Sequence, residues 1–332
     1  METEEEKPKK IPQTLWDYDS VDYGIRDYSD KDLNIRKYNP FTKLAFDPKK
    51  LTSLDLVIKN WLFFLLQSAL NSEKAEFKYR SESIKLSYYE IRRFLKTYYE
   101  DYKNTELRHN WFEDFKTSIT KLKQINFRIL NCYLPIVEQI VKEKEKEVGL
   151  TKDQKPVVIN LHKENFFMSQ LFREVSEAQF SFLSSWIMFG SKKQKDQLYF
   201  EITFPKEVVF FVSVTRDYTS QRFGDIFTFS NKYTYWLYEL LLEEANRAIA
   251  KTSPSRKQSF INDDVLEISA SSLESAFRIA YSEKKSSAIE VLSDLKRRDK
   301  LEEIKTVFPN FDYTYDKGCK VLSFKGVLKR TD

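Results

Sequence analysis

Residues 230–250 read SNKYTYWLYELLLEEANRAIA, an aromatic start running directly into an apolar helix, and the role of this helix decides the fold. Tyr233, Leu237, Leu240 and Leu241 return to one side at helical spacing, so a helix from Tyr233 to the end of the stretch is expected to pack as a first helix. EISASSLESAFRIA (267–280) then predicts a short second helix, with Ser271 or Ser272 near its cap and Leu273, Phe277 and Ile279 inward. EKKSSAIEVLSDLKRRDKL (283–301) predicts a longer basic third helix with Ala288, Ile289, Leu292 and Leu295 buried. FDYTYDKGCKVLSFKGVL (311–328) alternates around Asp-Lys-Gly, where Gly318 is expected to take the positive φ of a tight hairpin. Three helices followed by two strands around a basic turn make a helix-turn-helix with a wing.

The same order stands upstream. LTSLDLVIKNWLFFLLQSAL (51–70) offers Thr52 or Ser53 as cap, Asp55 in the first turn, and a stripe of Leu56, Lys59, Trp61, Leu62, Leu65 and Leu66. IKLSYYEIRRFLKTYYEDY (84–102) places Ser87 at an N-cap with Glu90 three residues on and Ile91, Phe94 and Leu95 inward. LRHNWFEDFKTSITKLKQI (107–125) carries Trp111, Phe112, Phe115, Ile119 and Leu122 at helical spacing, leaving Lys116, Lys121 and Lys123 outside. INFRIL suits a strand, and SFLSSWIMFG and QLYFEITF flank the polar turn SKKQKD as a hairpin. The expected architecture is therefore α+β and helix-rich, with two tandem winged-helix domains. Residues 1–50 form a partly disordered extension, 51–227 the first domain and 228–332 the second. The charge run at 142–156 reads as a solvated helix end and loop, or as a regulatory insert.

A chain of 332 residues with 41% hydrophobic and 15% aromatic residues buries a sizeable core and suits two domains. Lys and Arg number 55 against 50 Asp and Glu, a net charge of +5 that permits a nucleic-acid partner without requiring one. Cys132 and Cys319 make no disulfide framework, and with His109 and His162 they match no zinc spacing. The longest apolar run, WLFFLLQSAL, is too short to span a bilayer, so a reducing, cytoplasmic setting is expected. Nucleotide, phosphate, metalloprotease and hydrolase motifs are missing, and the isolated His109 and His162 fit polar helix and loop positions better than a metal-dependent nicking site. No catalytic residue, metal or cofactor is assigned.

The basic helices carry the functional expectation, because a helix of about 10–12 Å fits the major groove, where base edges are distinguishable. In the second unit Lys284, Lys285, Ser286, Ser287, Arg297 and Arg298 are expected to face DNA, with the N-terminal ones nearest the bases. In the first unit Lys116, Lys121 and Lys123 have that place, and Lys317 and Lys320 on the final hairpin are placed for phosphate. The competing reading is a winged-helix module for protein contacts, since Glu283, Glu290 and Asp294 dilute the basic face.

YTSQRFGDIFTFSNKYTYWLYELL (218–241) resembles the segment by which initiator proteins of theta-replicating, iteron-containing plasmids enter their second winged helix. Ser230, Lys232, Tyr233, Leu237, Tyr238, Glu239, Leu240 and Leu241 carry the likeness. LTSLDLVIKNWLFFLLQSAL, IKLSYYEIRRFL, YFEITFPKEVVFFV and the final hairpin follow in that family's order, so the likeness covers roughly 51–328. The chain departs from the family at SSAIEVLSDLKRR, which lacks the proline often found in the third helix. The resemblance implies a protein that binds origin repeats in double-stranded DNA, promotes opening of an AT-rich segment and catalyses no covalent chemistry. It also implies host replication-initiation and helicase-loading partners, no membrane partner, and a monomer–dimer equilibrium in which a dimer, paired through the first unit, represses its own promoter.

Overall fold

The computed structural model describes residues 34–38, 51–71, 81–135, 172–191, 195–205, 207–209, 218–251, 265–277 and 287–328. The chain is mixed α+β, with helices around small antiparallel sheets. In the first half β1 (Asn34–Tyr38), α1 (Ser53–Asn71), β2 (Ser81–Ser87), α2 (Tyr88–Lys96), α3 (Trp111–Gln124), β3 (Asn126–Pro135), β4 (Phe172–Ser181), β5 (Ser185–Phe189) and β6 (Tyr199–Pro205) follow in order. In the second half come β7 (Tyr218–Arg222), α4 (Asp225–Thr228), α5 (Lys232–Lys251), β8 (Val265–Ser269), α6 (Ala270–Ala276), α7 (Ala288–Arg297), α8 (Glu302–Lys305), β9 (Asp312–Asp316) and β10 (Val321–Lys325).

Helix α1 is the centre. Every residue from Asp55 to Gln67 is buried, so the expected stripe is in fact a helix enclosed on all sides. It packs against β1, β2 and α3 and against α4 and α5 of the second half. Trp61 stacks on Phe94 at 3.9 Å, and Phe94 lies against Phe227, which draws both halves into one apolar core.

Full enclosure forces the polar residues of α1 to find partners. Asp55 accepts bonds from the Thr52 backbone (2.7 Å) and hydroxyl (2.8 Å), so Thr52 rather than Ser53 starts the helix. It also accepts from Ser118 (2.6 Å) and Lys121 (3.0 Å) of α3. Asn60 donates to the Tyr235 hydroxyl of α5 at 2.6 Å, and that hydroxyl donates to Glu239. Burial, reinforced by Glu239, pushes the Tyr235 phenol well above its ordinary range.

Local signals locate the remaining helices. Ser87 caps α2 by accepting from the Glu90 backbone N–H (3.1 Å), and Ile91, Phe94 and Leu95 are buried. A π-helical turn, Thr97–Tyr102, extends α2, and nothing in its periodicity announces it. The cap of α6 is Ser269 rather than the expected Ser271 or Ser272, because β8 ends there and its hydroxyl accepts from the Ser272 N–H. Helix α7 begins after a reciprocal Ser287–Glu290 capping box. It ends in a Schellman arrangement, with Lys300 donating to Leu295, Asp299 donating to Lys296, and Asp299 at φ 54°.

Within the segment expected as an extension, strand β1 (Asn34–Tyr38) pairs antiparallel with β7, from Asn34 opposite Arg222 to Tyr38 opposite Tyr218. Strands β3 and β4 pair as a separate two-stranded ladder, from Asn126 opposite Ser181 to Pro135 opposite Phe172. The other sheets are ordered β2-β6-β5 and β8-β10-β9. The charge run at 142–156, Ile279 and His162 lie outside the described residues, and His109 occupies a turn before α3 rather than the helix itself.

Candidate nucleic-acid interface

Helices α3 and α7 each follow a short helix and precede a hairpin, and each buries one stripe. In α3 the stripe is Trp111, Phe112, Phe115, Ser118, Ile119 and Leu122; in α7 it is Ala288, Leu292 and Leu295, with Ile289 half-buried beside it. The outward residues are mixed in charge and sorted by position. Glu113 and Asp114 occupy the first turn of α3 and Glu290 that of α7, while Lys121, Lys123, Lys296 and Arg297 stand in the last turns. This order complements the helix macrodipole, so it stabilises both helices whatever they contact.

Several sequence-assigned cations already hold carboxylates. Lys116 lies 3.2 Å from Glu113. Lys121 is bound to the buried Asp55 and turned toward α1, whereas Lys123 is exposed. Arg297 and Arg298 share Asp294, at 2.5 and 2.9 Å, and the Arg297 hydrogen bond, with both positive charges, holds the Asp294 carboxyl below its usual range. Ser287 is the N-cap of α7: its hydroxyl accepts from Glu290, so the first turn starts at Ala288. Lys284, Lys285 and Ser286 lie outside the described residues.

The final hairpin turns through Lys317–Lys320, and both lysines are exposed. The left-handed residue is Lys320, at φ 54°, and Gly318 does not take the expected positive φ. Asp316 replaces the glycine device by accepting from the Gly318 and Cys319 N–H groups at 2.7 and 3.1 Å. These bonds also hold its carboxyl below the usual range. The first hairpin does use a glycine: Gly190 has φ 85°, and a Cβ there would lie 2.3 Å from the Gln197 carbonyl oxygen. Beyond that turn Lys195 stands over the Tyr88 ring at 5.4 Å.

The structure also exposes cations that the sequence reading passed over. Arg92, Arg93 and Lys96 lie on the solvent side of α2 together with Tyr89, which is 51% exposed. Their spacing was legible once Ile91, Phe94 and Leu95 were placed inward. The segment leading into α5 is structural, as expected: Leu237 and Leu241 are fully buried, Tyr233 packs on Phe277, and the Tyr238 hydroxyl donates to Asp225 at 2.6 Å.

Compared with models of known protein families the chain matches none, and comparison with curated proteins gives no significant match. Among the described residues no helix is long and apolar enough to cross a membrane.

Proposed function

We propose that the two α+β halves are winged-helix units in tandem and that the protein binds repeated double-stranded DNA sites at a plasmid replication origin, promoting its opening as an initiator. The observation that carries this reading is a repeated register. In each half a strand ends on the serine that caps the next helix, Ser87 or Ser269, and that serine lies opposite the first residue of the returning hairpin strand, Tyr199 or Val321. The same residue also faces the last residue of the outgoing hairpin strand, Phe189 or Asp316. Strand, capped helix, longer helix and hairpin thus recur with the same strand order. Such a unit serves DNA by inserting its longer helix into the major groove while hairpin cations such as Lys317 and Lys320 meet phosphate. On this reading the protein needs no cofactor, makes no covalent bond, and hands the opened origin to host initiation and helicase-loading proteins.

The dimer belongs to the same proposal, and β5 supports it. Strand β5 is an outer strand with no charged residue, and Ile187 and Phe189 on it are 50% and 37% exposed. Antiparallel pairing of β5 with its copy would set Ile187 against itself and Phe189 against Ser185, whereas the matching β9 would oppose Asp312 to Asp316. A protein-interaction module is the second reading, favoured by the carboxylates on Lys116, Arg297 and Arg298.

The deciding experiment is binding of the full chain to DNA flanking its own gene, at several salt concentrations, with a random duplex as competitor. Footprinted protection over direct repeats, roughly 10³-fold or more tighter than random DNA, is the expected result. Equal affinity for all duplexes, or none, overturns the initiator reading.

A further inference from the structure

The solvent face of α2 is the most uniformly cationic helix face among the described residues. Tyr89, Arg92, Arg93 and Lys96 fall at i, i+3, i+4 and i+7, and all are exposed. The opposite side is fixed by buried Ile91, Phe94 and Leu95 and by the Ser87 cap, so the stripe is presented rigidly. Lys96 pairs with Glu100 at 3.4 Å, an ion pair exposed on both sides and of the weak surface kind. Counting from the cap, Tyr89, Arg92 and Arg93 correspond to Ser271, Glu274 and Ser275 of α6, and Lys96 to Arg278, which lies outside the described residues. The cations at Arg92 and Arg93 are therefore not a requirement of the repeated architecture, since the second half builds its corresponding helix with Glu274 and Ser275 in their places.

We infer that this stripe is a contact surface for the phosphate backbone of duplex DNA, confined to the first unit. The inference rests on the DNA-binding reading above. Helix α2 packs against α3 and against the turn that carries Lys195, so its cations continue the surface of the first recognition helix and its hairpin. In a helix-turn-helix the helix before the recognition helix crosses the backbone, where side chains fix register without reading bases. Two guanidinium groups and an ammonium suit phosphate oxygens. The stripe then adds phosphate contacts, and salt dependence, in the first unit.

The test compares the full chain with its Arg92→Ala/Arg93→Ala/Lys96→Ala variant by fluorescence anisotropy, on a random duplex and on the protected origin repeat, across a salt series. Each lost phosphate contact flattens the log–log salt slope by about 0.9, so a change of roughly 2–3 is expected. Equal fold-weakening on both duplexes is expected with it, and thermal unfolding stays unchanged because the side chains are exposed. The single variant Arg92→Gln, with a slope change of about 0.9, serves if the triple variant folds poorly. An unchanged slope overturns the inference, as does a loss confined to the repeat, which would make the stripe a base reader. Loss of polyglutamate binding with duplex binding intact also overturns it, naming an acidic protein as occupant. Failure of the wild type to bind any duplex is separate and overturns the DNA reading itself.

Discussion

Asp55 is the residue whose loss the structure prices most clearly. It is 1% exposed and accepts four bonds, two from Thr52 and one each from Ser118 and Lys121. Asp55→Ala therefore removes the start of α1 and the polar attachment of α3 together. Breaking a buried, hydrogen-bonded charge pair costs about 3–5 kcal/mol, a large share of the roughly 5–15 kcal/mol that holds a domain. Lys121 is 31% exposed, so its ammonium keeps some water, and Lys121→Met should cost less, about 1–2 kcal/mol. Urea unfolding of the wild type, both single variants and the double variant closes a cycle with a coupling of roughly 0.5–2 kcal/mol. Additive losses would refute the pairing. So would a Lys121→Met protein of wild-type stability whose DNA affinity falls as far as that of Lys123→Met, because Lys121 would then face DNA and not Asp55.

Four shorter expectations follow from other sites. Gly326 has φ 73°, and a Cβ there would lie 2.3 Å from the Asn310 carbonyl oxygen, so Gly326→Ala should cost about 2 kcal/mol or more in urea unfolding; a smaller loss means that the backbone yields there. Burial pushes the Tyr98 phenol up to about 12, so its proton is bound more tightly in the folded state. That stability is whole below the ordinary value of 10 and is lost as pH rises toward about 12, on the order of 2–3 kcal/mol; Tyr98→Phe should lose less over that window, and equal losses would contradict the assignment. Asp294→Asn frees Arg297 and Arg298, so random-duplex affinity should rise and the ratio of specific to random binding should fall, both read by anisotropy; an unchanged ratio dissociates Asp294 from DNA. Ile187→Lys and Ile187→Glu should each be monomeric in sedimentation while their mixture dimerises, and a dimer in either variant alone removes β5 from the seam.

What the sequence made legible is what neighbours in the chain decide. The buried stripe of α3, the cap of α2 and both hairpins follow from residues within one or two turns of each other, such as Ser87 with Glu90. Long-range partners were not legible. Thr52 and Asp55 signal a helix start, but nothing nearby reveals that Lys121 reaches the same carboxylate, so a lysine assigned to DNA is tied to α1. The all-round burial of α1 depends on α5, and the Asn60–Tyr235 bond joins residues from opposite halves. The cationic face of α2 was written in the local spacing but overshadowed by the more conspicuous lysines of α3 and α7.

The pairing of β1 with β7 has a bearing on synthesis. Asn34–Tyr38 leaves the ribosome long before its partner Tyr218–Arg222, which follows only after the whole intervening chain has emerged. Local helices such as α2 and α3 can form as they appear, but this ladder must wait, because a contact so distant along the chain carries a large closure entropy and forms late. Until then α1, which β1 helps to cover, lacks part of its enclosure. The nascent chain therefore exposes apolar α1 surface until Tyr218–Arg222 emerges, and a ribosome-stalled chain ending before Tyr218 should be captured by holdase chaperones more readily than one ending beyond Arg222.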